Sequence, residues 1–218
     1  MIIPIARYFV CEPENGSSAI DAGFVPAMLR RRLGMLAKMT LQVAQECAHD
    51  VPEVRFVYAS RHGELKRTTM LLESICAKEE LSPTLFGLSV LNASPGLFSM
   101  LQKNHAPATA ISAGVSSFAC GLLEAALQFA EKPQQPVLYV YADEPLPSWH
   151  GEQELPGCEA HAIGLLLHPA AEIVITSDFS AWEGVSSDEA PSRAFLRCLS
   201  DGEAVWRGEG RAWRWLKQ

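Results

Sequence analysis

No stretch of this sequence stays apolar for the ~18 to 20 residues that a bilayer-spanning helix needs. Its greasiest run, Phe118 to Ala130, is interrupted by Glu124 and Gln128. The N-terminus MIIPIARYF lacks a basic segment followed by a long apolar run and a small-residue cleavage site. Secretion is therefore unsupported and a cytoplasmic location is expected. Cysteine pairing is missing as well. Cys11, Cys47, Cys76, Cys120, Cys158 and Cys198 are widely separated and form no C-x-x-C, so they read as buried thiols in a reducing cytoplasm. The six histidines include no HxxxH or HxH spacing, which leaves a zinc site without support. Neither G-x-G-x-x-G nor G-x-x-x-x-G-K-[ST] occurs, which removes the usual phosphate cradles. Positive charge is short, with 18 Lys plus Arg against 25 Asp plus Glu and a net charge of −7. That balance argues against a nucleic-acid partner. The tandem arginines Arg30 to Arg32 are a local exception.

What is present suits one globular domain. The chain has 218 residues, 48% of them apolar and 20% charged, enough to bury a real core and too greasy for disorder. Leu29, Leu33, Leu36, Thr40, Val43 and Cys47 recur every three or four residues, which predicts a long helix over Phe24 to Ala48. Val54 to Ser60 (VRFVYAS) reads as a buried strand. Glu64 to Glu80 reads as a second amphipathic helix with Met70, Leu71, Ile75 and Cys76 inward. Leu85 to Leu91 leads into a turn at Asn92 to Gly96 and a short helix through Met100.

The centre carries the most information. Ala108 to Ala113 (ATAISA) is a small-residue strand, Gly114 permits a sharp turn, and Ser116 or Ser117 can cap a helix to Ala130. That helix is apolar on nearly every face and needs cover on more than one side. Val137 to Ala142 is another internal strand. Residues 148 to 158 are loop-like. Ala160 to Leu167 and Glu172 to Thr176, separated by a His168 and Pro169 turn, predict neighbouring antiparallel strands. Pro191 to Leu199 reads as a short helix, and the tail from Ala204 carries Trp206, Trp213 and Trp215. Strands alternating with helices give a three-layer α/β domain with a mixed sheet.

Candidates for chemistry are sparse. The strand, Gly114, Val115, Ser116, helix order resembles a nucleophile elbow, but G-x-S-x-G would need glycine where Phe118 stands. A serine-dependent acyltransferase or hydrolase using Ser116 stays open, with no histidine placed as its base. His161 falls in a strand, and His150 and His168 fall in turns. Cys120 reads as a small packed thiol, with a nucleophile as the alternative. Asp143 and Glu144 follow a strand, and one of them is expected to face solvent. Ser60 to Glu64 forms a polar knot after a strand. It is either a ligand site at the carboxyl edge of the sheet or a turn in which Arg61 pairs with Glu64, Gly63 allows the bend and His62 bonds backbone.

Four segments taken together resemble a known family: SRHGEL (Ser60 to Leu65), LSPTLFGLSVLNASPGLF (Leu81 to Phe98), TAISAGVSSF (Thr109 to Phe118) and YADEPLP (Tyr141 to Pro147). They are similar to the small beta-ketoacyl-synthase-like, chain-length-factor-like proteins associated with aryl polyene and other fatty-acid-like polyketide pathways. Similarity spans roughly residues 20 to 175. The resemblance implies a thiolase-like fold: α/β, a single three-layer half with a mixed five-stranded sheet, residues 1–218 forming one beta-ketoacyl-synthase-like N-terminal domain. In an active ketosynthase the turn at Ser112 to Phe118 would carry the acyl-bearing cysteine. Here Gly114, or Val115 by a different anchor, falls at that place, and neither is a thiol. An active condensing enzyme is also about twice this length, and no later segment here resembles its two histidine motifs. Without nucleophile or carbonyl polarisation, independent catalysis is not expected.

The resemblance further implies a full-length ketosynthase partner in a heterodimer, with the strand at Ala108 to Ala113 pairing across the interface. No cofactor is expected to bind directly. Acyl chains would reach the partner on a phosphopantetheinyl acyl carrier protein, for which Arg30 to Arg32 offer a basic landing patch. Partner-interface or acyl-pocket candidates are Phe86, Ala108, Ala110, Ser112, Gly114, Phe118 and Leu122. Ordinary core packing is an equal reading for Phe86, Phe118 and Leu122. A stand-alone thiolase-like binding module is the third reading.

Overall fold

The computed structural model describes residues 1–13, 20–147 and 159–218. Its spine is an eight-stranded mixed sheet in the order β3-β2-β4-β5-β1-β6-β8-β7. The strands are β1 (Ile2–Cys11), β2 (Arg55–Ala59), β3 (Ala108–Ile111), β4 (Val137–Asp143), β5 (His161–Leu167), β6 (Ile173–Ala181), β7 (Glu203–Gly208) and β8 (Arg211–Lys217). The expected count of five strands is therefore too low. β1 went unread because Pro4 and a register shift between Ile5 and Arg7 break its period-two pattern. The tryptophan-bearing tail folds as the β7–β8 hairpin.

β2 pairs in parallel with β3 and β4, while the remaining pairings are antiparallel. The expected β5–β6 hairpin is not formed, because β1 inserts between them and bonds to both. Among the described residues β3 bonds only to β2 and ends the sheet on that side. The buried runs of β2, β4 and β5 have helices on both faces, as a strand without polar alternation requires.

One face is covered by α2 (Met35–Ala48) and α5 (Ala93–Gln102). Gly164 on β5 lets α2 approach closely, since a Cβ there would lie 2.8 Å from the Val43 carbonyl oxygen. The helix expected over Phe24 to Ala48 is divided into α1 (Ala27–Arg30) and α2, with Gly34 extended between them. Arg67 Nη2 donates to the Arg32 carbonyl oxygen at 3.2 Å, taking an acceptor that a continuous helix would use. Short α4 (Pro83–Gly87) follows α3 (Leu65–Cys76), and the expected turn at 92–96 is the first turn of α5.

On α3 the inward face is not the expected one. Leu71 is buried with Arg67 and Thr69, whereas Met70, Ile75 and Cys76 face outward.

The opposite face of the sheet is covered by α6 (Ser117–Glu131) and α7 (Pro191–Asp201). Arg55 donates to the carbonyl oxygens of Gln128, Lys132 and Gln135 at 2.5, 3.0 and 2.5 Å, a cation on orphan acceptors around the end of α6. Much of the cover that the apolar α6 needs comes from its own chain. Phe118 packs against Tyr139, Tyr141, Phe195 and Trp215, so α7 and the tryptophan hairpin close over it. Among the described residues no helix is long and apolar enough to cross a membrane.

Candidate functional site

The strand ends β2, β3 and β4 converge on one polar cluster. Ser60, at the end of β2, donates from Oγ to Asp143 Oδ1 at 3.3 Å and accepts from Gly63 N at 2.8 Å. Tyr141 OH donates to Asp143 Oδ2 at 3.3 Å, and the His62 amide donates to Oδ1 at 3.4 Å. Burial nevertheless dominates and pushes the Asp143 carboxyl up to about 6, against these hydrogen bonds and the Arg61 charge. Glu144 is also largely buried and takes Lys66 Nζ at 2.9 Å, so neither carboxylate projects free into solvent as expected. Glu64 pairs with Arg67 at 3.2 Å, in place of the Arg61 partner expected from the sequence.

His161, at the start of β5, reaches the same cluster. Its Nδ1 lies 2.8 Å from the Glu159 carbonyl oxygen, which can only accept, so Nδ1 carries the proton. Nε2 then accepts from the Ser192 hydroxyl at 2.8 Å. Burial lowers the His161 pKa, which keeps the ring neutral. This serine–histidine pair, absent from the sequence reading, is sealed: both side chains are buried. The cavity beside it, lined by Val115, Tyr141, Asp143, Glu144, His161 and Pro191, measures about 20 Å³. That is room for about one water and none for an acyl chain.

Next to this cluster β3 turns into α6. Ser112 Oγ donates to the Arg61 carbonyl oxygen at 3.0 Å, tying the strand end to the β2 loop. Ser117 Oγ accepts from Ala113 N at 2.9 Å and donates to the Gly114 carbonyl oxygen at 2.7 Å. Between them Gly114 adopts a left-handed backbone with φ 56°, and Val115 does not. A sharp, strained strand-to-helix corner is the geometry that presents a nucleophile, but Gly114 has no side chain to present. Ser116, the other candidate, is 1% exposed and its hydroxyl has no hydrogen-bond partner. It stands at the N-cap position of α6 without a capping hydrogen bond from its side chain, and among the described residues no base bonds to it. Glu209, from the tip of the β7–β8 hairpin, accepts from the Val115 amide at 3.3 Å.

The sequence-predicted interface residues divide by location. Ala108, Ser112 and Gly114 are exposed, and Ala110 is half-buried, along β3 and the corner after it. Phe86 on α4 is 61% exposed, while Phe118 and Leu122 lie within the chain's own core. The five cysteines among the described residues are free, and Cys120 is half-buried with its pKa raised first by burial. Cys158 and His150, with the expected loop at 148–158, lie outside the described residues. Among the described residues no group of His, Cys, Asp and Glu is arranged to hold a metal ion.

Residues 10–216 match the family described as "Beta-ketoacyl synthase, N-terminal domain". The chain belongs to that family. Its solved neighbours share the thiolase-like ketosynthase fold. One is described as "Ketosynthase (ApeO) in Complex with its Chain Length Factor (ApeC) from Xenorhabdus doucetiae". It superposes with a TM-score of 0.84 at 23% identity, covering 99% of each chain. The ishigamide ketosynthase/chain length factor matches with a TM-score of 0.55 at 16% identity, covering 78% of this chain and 54% of the other. A beta-ketoacyl synthase from Burkholderia phymatum STM815 matches with a TM-score of 0.56 at 12% identity, covering 84% and 56%. This family member thus spans little more than half the length of the latter two chains. No match was found among curated protein sequences.

Proposed function

We propose that this chain is a noncatalytic, chain-length-factor-like subunit that pairs with a full-length beta-ketoacyl-ACP synthase. The observation that carries the reading is the corner at Gly114 and Val115, the two positions at which the family's acyl-bearing thiol would stand, neither of which carries a thiol. Supplying the attacking sulfur and the carbonyl-polarising histidines then falls to the partner.

Three further features support a partner. Among the described residues β3 ends the sheet with one edge unbonded to strand, and its small side chains leave that edge approachable, a feature that folded chains otherwise protect. The adjoining helices α3 and α4 expose Met70, Ile75 and Phe86, more apolar surface than their positions need. The neighbour with 99% coverage of both chains comes from a ketosynthase and chain length factor complex. In this reading β3 pairs across the interface through Ala108, Ala110 and Ser112, and Phe86 forms part of the wall that limits acyl length. The pathway is of the fatty-acid-like or aryl polyene type, in the cytoplasm, with acyl groups delivered to the partner by an acyl carrier protein.

Co-expression with a full-length ketosynthase tests the proposal. The two chains are expected to copurify, with a covalent acyl adduct by mass only on the partner. Phe86→Ala and Phe86→Trp are expected to lengthen and shorten the product. Carbon–carbon bond formation by this chain alone, or an acyl adduct on it, would overturn the reading.

A further inference from the structure

The β7–β8 hairpin turns through Glu209 and Gly210, both left-handed, with φ 50° and 75°. A two-residue hairpin loop between Gly208 and Arg211 requires positive φ at both of its central residues. The turn delivers the Glu209 side chain to the corner between β3 and α6. Its Oε1 accepts from the Val115 amide at 3.3 Å and lies 2.7 Å from the place a Cβ on Gly114 would occupy.

The corner opens a fifteen-residue helix, whose N-terminal end favours negative charge; the Ser116 and Ser117 amides bond to the Ala113 and Gly114 carbonyl oxygens, which leaves the Val115 amide to the carboxylate. In acyl transfer, donors so placed stabilise the developing oxyanion. In this chain the anion comes from the protein itself.

We propose that Glu209 is a built-in occupant of the corner: its carboxylate holds the Val115 amide and overlies Gly114, so that neither an acyl oxyanion nor an attacking side chain has that place to itself. Loss of chemistry then resides in the C-terminal hairpin as well as in the missing thiol. A thiol restored at position 114 would meet a carboxylate, which favours its protonated, unreactive form. The inference rests on the noncatalytic reading above, and its tests use this chain alone, so that they do not depend on whether a ketosynthase partner binds.

The test compares Gly114→Cys with the double variants Gly114→Cys/Glu209→Ala and Gly114→Cys/Glu209→Gln, following alkylation of the introduced thiol by iodoacetamide through peptide mass spectrometry across pH. Removing the charge is expected to lower the midpoint of the rate–pH profile by about one unit and to raise the rate near neutral pH about tenfold. Equal midpoints and rates overturn the proposal. Because a left-handed backbone strains any side chain placed at 114, the unaltered corner supplies a second measurement. Glu209→Ala in the otherwise native chain is expected to speed hydrogen exchange at the Val115 amide about tenfold. An unchanged rate there, or a rise shared equally by the amides of β2, overturns it.

Discussion

Phe118→Ala separates a core role from a pocket role at the residue where the two readings collide. The ring is fully buried, with centroids 5.7 Å from Tyr139, 5.5 Å from Tyr141, 5.2 Å from Phe195 and 6.1 Å from Trp215. These partners come from β4, α7 and β8, so truncation leaves a void that no single element can close. A buried phenylalanine cut to alanine costs about 3 to 5 kcal/mol, a large share of a total stability of about 5 to 15 kcal/mol. For a chain of this size about 4 kcal/mol corresponds to a fall in Tm of roughly 8 to 16 °C. The Tyr139 hydroxyl bonds to the Phe118 carbonyl oxygen at 2.6 Å, and that bond survives the substitution, so the loss reports packing alone. Thermal unfolding by circular dichroism on the full chain measures it. A loss below about 1 kcal/mol would refute the core assignment, because so small a cost is that of a surface site. Unchanged stability with an altered product length in the copurified pair would move the ring into the acyl pocket.

Burial lifts Asp143 from its ordinary 3.8 to about 6, so the folded chain holds this proton more tightly than the unfolded one. That stabilisation is complete below pH about 3.8 and is lost as pH rises through about 6. Asp143→Asn is therefore expected to gain stability relative to the parent between pH about 4 and 7.5, by at most about 3 kcal/mol, in urea titrations; a difference independent of pH would contradict it. Gly164→Ala places a Cβ 2.8 Å from the Val43 carbonyl oxygen and 2.9 Å from Cys47 Sγ, and is expected to cost about 1 to 3 kcal/mol by denaturant midpoint as α2 is forced outward; a neutral midpoint would show that α2 yields freely. Cys76 is exposed, whereas Cys47 is buried with its thiol pushed up to about 12. Mild alkylation of the native chain should label Cys76 first and reach Cys47 only on unfolding, and early labelling of Cys47 would contradict the packing of α2.

The parts of the fold legible in the sequence are those whose signals are local. Val54 to Ser60, Val137 to Ala142 and the helix after Gly114 announce themselves by continuous apolar runs bounded by proline, glycine or serine. What escaped depends on residues far apart in the chain. The His168 and Pro169 turn reads as a hairpin, and nothing near it signals that β1, from the other end of the sequence, comes between its two strands. The helical pattern from Phe24 onward continues through Gly34, and the break needs Arg67, from another helix, at the Arg32 carbonyl. The corner at Gly114 was legible through the family motif. Its occupant, Glu209, was not, because a lone glutamate near the C-terminus carries no local signal of its destination. The same holds for the His161–Ser192 pair.

The apolar helix α6 shows where pattern reading reaches its limit. Periodicity states that a helix needs cover on several sides, but not whether the cover belongs to the same chain. Here Phe195, Trp206, Trp213 and Trp215 join α6 in one core, so most of its apolar surface is covered by its own chain, with Leu127 left exposed. The case for a partner shifts to α3 and α4, where the pattern placed Met70 and Ile75 inward and the structure turns them out beside Phe86. Five residues apart, Met70 and Ile75 lie about 140° apart around the helix and flank the buried Leu71, so they are two separate exposed positions, not one stripe. The inward face of α3 holds the buried Arg67 and its Glu64 partner, which pins the helix in this orientation.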